Sequence, residues 1–529
     1  MRNLQLPGRS VVHAVNGAAA TSHPLSTLAA LEILMQGGSA ADAAVAACAV
    51  QCVVEPMSTG IGGDCFVLYA PKGSGAVEGL NGSGRAPASL TAEALLSRGI
   101  KSIDIQSPHA VTIPGAIDAW ARLIERHGRF GLDRLLQPAI RHAEQGFAVT
   151  PRVAVDWRRN LAKLRADDST AAKYLKGGEP PLAGDIVRLP ELAATLKAVA
   201  AKGPDAFYRG EVAEDIVAHL RAKGGLHTLE DFAEHKGEWV TPISADYRGR
   251  QVVQIPPNGQ GITALLMLNI LQGFDLGGFD PLGARRLHLE AEASRLAFAA
   301  RDRFVADPAQ ASVPVEKLLS AAFADELRGR IDPRRAMSED PASAMPLYRD
   351  TVYLSVVDRD RNVCSFINSL YFPFGTGLCS PQSGVLLQNR GSGFRVEPGH
   401  PNCVAPRKRP LHTIIPGMVL EGGRPVLSYG VMGGSFQPVG HAHVLTNILD
   451  YGMDIQEAID CARGFHVAGR YELEAGVPEH TAQQLAAMGH AIGRPDMPWG
   501  GGQAVGIDWA RGTLAGGSDP RKDGCALGY

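Results

Sequence analysis

No run of about 18 uninterrupted apolar residues occurs in the 529-residue chain, which excludes a membrane-spanning helix and sets aside a membrane partner. Charge of one sign is missing as well. The 52 basic and 54 acidic residues leave a formal charge of −2, so no global field gathers nucleic acid or anionic lipid, and partners must be recognised locally. The eight cysteines form no C-x-x-C pair and no Cys/His spacing of a zinc site, so neither a metal nor another cofactor is expected. Cys48 and Cys52, one helical turn apart in an apolar segment, read as small buried hydrophobes. Nothing resembling a signal segment precedes Pro7-Gly8, and with free thiols this predicts a cytoplasmic protein. Internal repeats and disorder-prone composition are absent too; 45% hydrophobic and 20% charged residues describe a globular chain, long enough for two to four domains or one large layered fold.

What is present begins with an apolar helical pattern over 24–35, stopped by Gly37-Gly38, after which Ser39 caps a second, Ala-rich helix to about Val53. Ala at contact positions lets helix backbones approach, as a helical layer requires. Ser58 to Asp64 is glycine-rich but precedes a strand, 65–69, instead of joining strand to helix, so it fails the context test of a dinucleotide loop and reads as a tight turn near a buried site. Two amphipathic helices follow between Gly115 and Phe147, and longer helical patterns cover 262–271 and 285–304. Residues 312–350 lose periodicity and carry four prolines, which predicts a mobile linker.

The chain is organised around 350–394. Thr351 opens a strand-like run over 352–357, a polar turn follows at 358–362, and a second run over 363–370 completes a hairpin. A Thr at such a place is ordinarily a strand residue. As a nucleophile it needs a base within hydrogen-bond reach, and no His, Asp or Lys follows at a serving distance. Cutting the Asp350–Thr351 bond would supply one: the new α-amine, with a reference pKa of about 7.7–8.0, would sit on the same residue as the hydroxyl.

Thr351 with Ser355-Val356-Val357-Asp358, then Phe374-Gly375-Thr376-Gly377, 384–389 (GVLLQN), Arg409-Pro410-Leu411 and Gly433-Gly434-Ser435 recur in the order seen in the γ-glutamyltranspeptidase family. Upstream, 37–46 (GGSAADAAVA), Glu55-Pro56 and Gly60-Ile61-Gly62-Gly63-Asp64 extend the resemblance over nearly the whole chain. The resemblance implies an α+β fold, a four-layer αββα sandwich of the N-terminal-nucleophile hydrolase type. It also implies a precursor that cuts itself between Asp350 and Thr351 into a large part, 1–350, and a small part, 351–529, which stay associated as one unit or as a dimer of such units.

By the same resemblance Ser369 supplies a hydroxyl beside the nucleophile, where relatives carry Thr, and Gly433 and Gly434 form the oxyanion hole. His412 and Thr413 replace a pair of small hydroxyl residues that hold a substrate carboxylate, with His412 adding a bulkier group that is cationic or a second base. Arg85 stands two residues from the place of a carboxylate-gripping arginine, held by Ser83, and is either a displaced clamp or a solvated loop residue. Tyr371, Arg390 and Gly393 take the places of an Asn, an acidic or amide residue and an Asp that surround a γ-glutamyl group. An ammonium thereby loses acceptors and meets a guanidinium, which is unfavourable. The expected substrate is a small amide: a γ-glutamyl compound such as glutathione by family default, or an acyl group with a carboxylate and no α-amine, as in glutaryl amides and oxamate. A non-catalytic protein retaining the fold is the remaining alternative.

Overall fold

The computed structural model describes residue 5 and residues 8–72, 75–338 and 351–529. Among these, two seven-stranded antiparallel sheets carry the architecture. One runs in the order Cys525–Gly528, Ala18–Thr21, Val352–Val357, Val363–Ser369, Asp64–Ala70, Glu78–Gly82, Glu238–Val240. The other runs Val12–Ala14, Thr513–Ser518, Gly501–Asp508, Arg424–Met432, Gly417–Glu421, Arg250–Gln254, Ile243–Tyr247.

The strand Val352–Val357 is apolar at almost every position because both its faces are covered. Tyr353 and Val357 enter the core between the sheets with Phe66, Ile367 and Met418. Leu354 and Val356 face the opposite way, into the core beneath the helix Ala40–Val54. That helix is buried along its whole length and packs with Pro24–Met35, Ala116–His127 and Gln137–Gln145 as one outer layer. Its start is fixed by a capping box: Ser39 Oγ accepts from the Asp42 amide at 3.2 Å, and Asp42 Oδ2 accepts from the Ser39 amide at 2.7 Å. Helices Gly261–Leu271, Ala284–Phe304, Gln437–Leu449 and Ile455–Asp460 cover the second sheet, completing four α-β-β-α layers.

The Gly60–Gly63 turn does lie against the hairpin: Gly63 packs so closely on the Ser369 carbonyl that a Cβ there would clash. The linker reading of 312–350 needs correction for its first part. Two short helices, Val315–Leu319 and Ala321–Arg328, bury Leu318 and Leu327 in the core that also holds helix Gly261–Leu271. Asp350 and the rest of that stretch, 339–350, lie outside the described residues.

Candidate active site

Residue parity along two neighbouring strands aims the key hydroxyls. Val352 pairs with Asn368, so Thr351 stands opposite Ser369 at the end of the hairpin, and Ser369 in turn pairs with Asp64 on the next strand. Thr351 shares the face of Tyr353 and Ser355, which looks into the gap between the sheets. Both hydroxyls are buried, and Thr351 Oγ1 lies 3.0 Å from Ser369 Oγ. Ser369 Oγ also accepts the Tyr371 amide at 2.9 Å, so its oxygen is held while its proton is free to point at Thr351.

The opposite sheet brings Gly433 and Gly434 to this end. Ser355 Oγ donates to the Ser428 carbonyl at 3.3 Å, and the Tyr353 ring fills the space a Cβ on Gly430 would need. The strand Arg424–Met432 therefore crosses the hairpin strand in the opposite sense, and its C-terminal end arrives where Thr351 begins. There Gly433 (φ 123°) and Gly434 (φ 59°) form a left-handed turn that a side chain would strain. The Gly433 carbonyl accepts the Phe436 amide at 3.0 Å, which turns the Gly434 N–H out of the turn. Gln260, a residue the sequence did not single out, clamps the loop: its Nε2 donates to the Gly434 carbonyl at 3.0 Å and the Thr413 carbonyl at 2.7 Å, while Oε1 accepts from Arg301 at 2.9 Å.

A cleft of about 510 Å³ opens beside this loop, lined by Tyr371, Gly393, Leu411, Thr413, Ser435 and Arg301 among others. Arg390 stands behind it, fully buried, with Nη1 donating to Thr413 Oγ1 at 2.7 Å and its guanidinium 3.9 Å from the centre of the Tyr371 ring. Among the described residues, its Nε and Nη2 have no hydrogen-bond partner. A buried guanidinium with two unused donors and no carboxylate beside it among the described residues is a costly arrangement that an anionic ligand would relieve. Tyr371 holds its ring in place from a left-handed backbone position, φ 83°.

His412 sits one residue from Thr413 but is engaged elsewhere. Its Nε2 lies 3.0 Å from Asp64 Oδ2 and Nδ1 accepts the Ile414 amide at 3.4 Å, so the Nε2–H tautomer faces Asp64. Burial, reinforced by the nearby Arg390 charge, lowers its pKa to about 4 in spite of Asp64. The expectation of a cationic group or second base is thereby corrected: His412 is neutral around pH 7 and serves as a donor. Asp64, which sequence reasoning had read only as part of a turn, is a buried hub: besides His412 it accepts from the Gly84 amide at 3.0 Å, the Gly115 amide at 3.2 Å and Gln388 Nε2 at 2.9 Å. Arg85 is not brought to the cleft. It donates to Glu238 at 2.7 Å and to the Arg407 carbonyl at 3.1 Å and faces Asp307 at 3.7 Å, so its charge is matched far from any substrate role.

A hydroxyl at a strand start, a second hydroxyl beside it and a glycine turn whose Gly434 N–H points outward make the parts of an acyl-transfer site. Comparisons with known proteins agree with that chemistry. The model of the gamma-glutamyltranspeptidase family matches residues 26–529. A glutathione hydrolase-like proenzyme, YwrD of Bacillus subtilis, is 39% identical over 96% of this chain and 97% of its own length. An acylase ACY 1 proenzyme of a Pseudomonas species is 35% identical over 96% of this chain and 92% of its own. The crystal structure of a cephalosporin acylase from Bacillus halodurans superposes with a TM-score of 0.93 at 40% identity, over 100% of this chain and 99% of that one. This chain belongs to the γ-glutamyltranspeptidase family and is an N-terminal-nucleophile amidohydrolase.

Proposed function

We propose that the protein is a self-processing amidohydrolase whose nucleophile, Thr351, is freed by cleavage of the Asp350–Thr351 bond, and whose preferred acyl group carries a carboxylate and no α-amine. The observation that carries the first half is the placement of Thr351 Oγ1, buried at the start of a central strand and 3.0 Å from Ser369 Oγ. In maturation the Thr351 hydroxyl attacks the carbonyl carbon of Asp350, the amide becomes an ester, and water hydrolyses the ester to release parts of 350 and 179 residues. The new amine then accepts the Thr351 hydroxyl proton as that oxygen attacks a substrate amide. Gly433 and Gly434 steady the oxyanion, the amine returns the proton to the leaving nitrogen, and water releases the acid. Relatives named as proenzymes support such a cut.

The acyl preference rests on Arg390. Its two unpaired donors suit a carboxylate bidentately, whereas a γ-glutamyl ammonium in the same place would face a guanidinium. A likeness to acylases supports this side, and a likeness to a glutathione hydrolase-like protein supports γ-glutamyl amides. Matured protein assayed with glutaryl-p-nitroanilide and γ-glutamyl-p-nitroanilide separates the two: a roughly ten- to hundredfold higher kcat/KM for the glutaryl amide is expected. A single uncut band under all conditions would instead favour a non-catalytic protein.

A further inference from the structure

Helix Ala284–Phe304 places His288 and Glu292 one turn apart on one face, both fully buried. The turn after helix Glu479–Ala487, closed by the His490 amide donating to the Leu485 carbonyl at 3.1 Å, delivers His490 to the same spot, 202 residues beyond His288 in the chain. One ligating atom from each of these three side chains lies within 4.8 Å of the other two. His288 Nδ1 and His490 Nε2 face each other at 2.8 Å, with the ring planes 67° apart. Two facing nitrogens share one proton, or, with that proton moved away, a cation.

The outer partners of these side chains are of the kind that orient metal ligands. His288 Nε2 lies 2.8 Å from the Asp332 carbonyl; a carbonyl only accepts, so the neutral ring keeps its proton there and presents a bare Nδ1. Glu292 Oε1 accepts from Arg295 Nη1 at 2.9 Å and Oε2 from the Met337 amide at 2.8 Å, which fixes the carboxylate and leaves a lone pair on each oxygen. Facing a bare nitrogen, His490 donates from Nε2, while its Nδ1, buried in a residue only 5% exposed, has no hydrogen-bond partner among the described residues. The ring can therefore carry its proton on Nδ1 instead, which turns Nε2 into a second ligand. Two imidazoles and one carboxylate already shared with Arg295 suit a borderline ion that accepts nitrogen, and do not suit calcium or magnesium, which require several oxygens.

We propose that this cluster is a zinc-class metal site, held by His288 Nδ1, His490 Nε2 and a Glu292 oxygen, and separate from the amidase centre. Zinc–nitrogen bonds of about 2.0–2.1 Å set two tetrahedral nitrogens about 3.3 Å apart, so the imidazoles need to part by only about half an ångström. All three ligands are buried, so the ion is a structural clasp and not a reagent. His288 and Glu292 lie in 1–350 and His490 in 351–529, so the clasp joins the two parts of the matured protein. That consequence rests on the cut proposed above; the site itself does not.

The test dialyses chelator-treated, full-length protein against zinc chloride, removes loose metal by desalting and counts zinc by elemental analysis. Wild type should keep about one equivalent more than His288→Gln or His490→Gln, and should melt several degrees higher with zinc than without. Thr351→Ala should keep the same equivalent, so a failure of the proposed cut leaves the zinc result standing, while in cut protein zinc should raise the urea concentration at which the two parts separate. Because substitutions in a buried cluster can unfold the chain, wild type is also loaded with cobalt(II), whose spectrum should show the visible bands of a nitrogen- and oxygen-ligated ion without a thiolate charge-transfer band. No retained zinc in wild type, equal zinc in folded His288→Gln and His490→Gln, or a thiolate band placing the ion on cysteine would overturn the proposal.

Discussion

Replacing Arg390 by Gln removes the buried charge while keeping an amide donor near the cleft. In the free protein Arg390 spends one donor on Thr413 and leaves Nε and Nη2 for a ligand. Two charge-assisted bonds to a substrate carboxylate are lost and at most one neutral bond is regained. With about 1.5–3 kcal/mol for each hydrogen bond to a charged group and about 1 kcal/mol for the neutral one, the net loss is about 2–5 kcal/mol. At about 1.4 kcal/mol per decade, kcat/KM for glutaryl-p-nitroanilide falls at least roughly thirtyfold and up to roughly several-thousandfold. The γ-glutamyl amide, relieved of an ammonium–guanidinium contact, loses less or gains. The fold holds, since no carboxylate partner of Arg390 is stranded. Initial rates of p-nitroaniline release on matured wild type and variant give the ratio directly. An unchanged ratio in a folded, fully cut variant would refute the assignment of Arg390 to the substrate carboxylate.

Ser369→Ala should slow both maturation and turnover by about tenfold or more, since the hydroxyl 3.0 Å from Thr351 Oγ1 orients the attacking oxygen in each; unchanged rates on gels and in the p-nitroanilide assay would remove it from the site. Gly393→Asp should move selectivity back toward γ-glutamyl amides by roughly tenfold. A Cβ there finds ordinary contacts, 3.6 Å to the Leu411 carbonyl and 3.7 Å to the Tyr371 hydroxyl, so the new carboxylate is accommodated and partly neutralises Arg390. Acid should destabilise the protein well before its carboxylates titrate. Burial depresses His23, His227, His235 and His412 to about 4, and His441 and His490 to about 3, so below pH 6.5 the unfolded chain takes up protons that the fold refuses. Each histidine contributes up to about 1.4 kcal/mol of loss per pH unit between 6.5 and its folded value. Glu55, raised to about 7 by burial, works in the opposite direction but alone among these groups. Thermal melting at pH 7, 5.5 and 4.5 should show a steep fall in Tm, and a flat profile would contradict the neutral buried histidines.

The parts of this molecule that were legible in its sequence are those specified locally. Ser39 with Asp42 announces the start of the buried helix, and the alternation after Thr351 announces a strand whose end residue shares a face with Tyr353. Asp64 was not legible as a hub, because its partners Gly84, Gly115, Gln388 and His412 lie 20 to 348 residues away and nothing near it marks them as donors. Arg85 misled for the mirror reason: it stands beside the expected motif, yet Glu238 and Asp307, distant in the chain, take its charge. The helices Val315–Leu319 and Ala321–Arg328 are too short to show a period and exist through packing in the core around Gly261–Leu271. Gln260 carries no sequence signal at all; its role appears only when the Gly434 and Thr413 carbonyls converge on it.

The central claim, that Thr351 becomes an N-terminal nucleophile, is tested most directly by intact-mass and N-terminal analysis of wild type beside Thr351→Ala. Wild type should yield two fragments, the smaller of 179 residues beginning at Thr351, and Thr351→Ala should remain a single uncut chain of 529 residues without amidase activity. A new N-terminus at any other residue, or an alanine variant that is cut between residues 350 and 351 as fast as wild type, would contradict it.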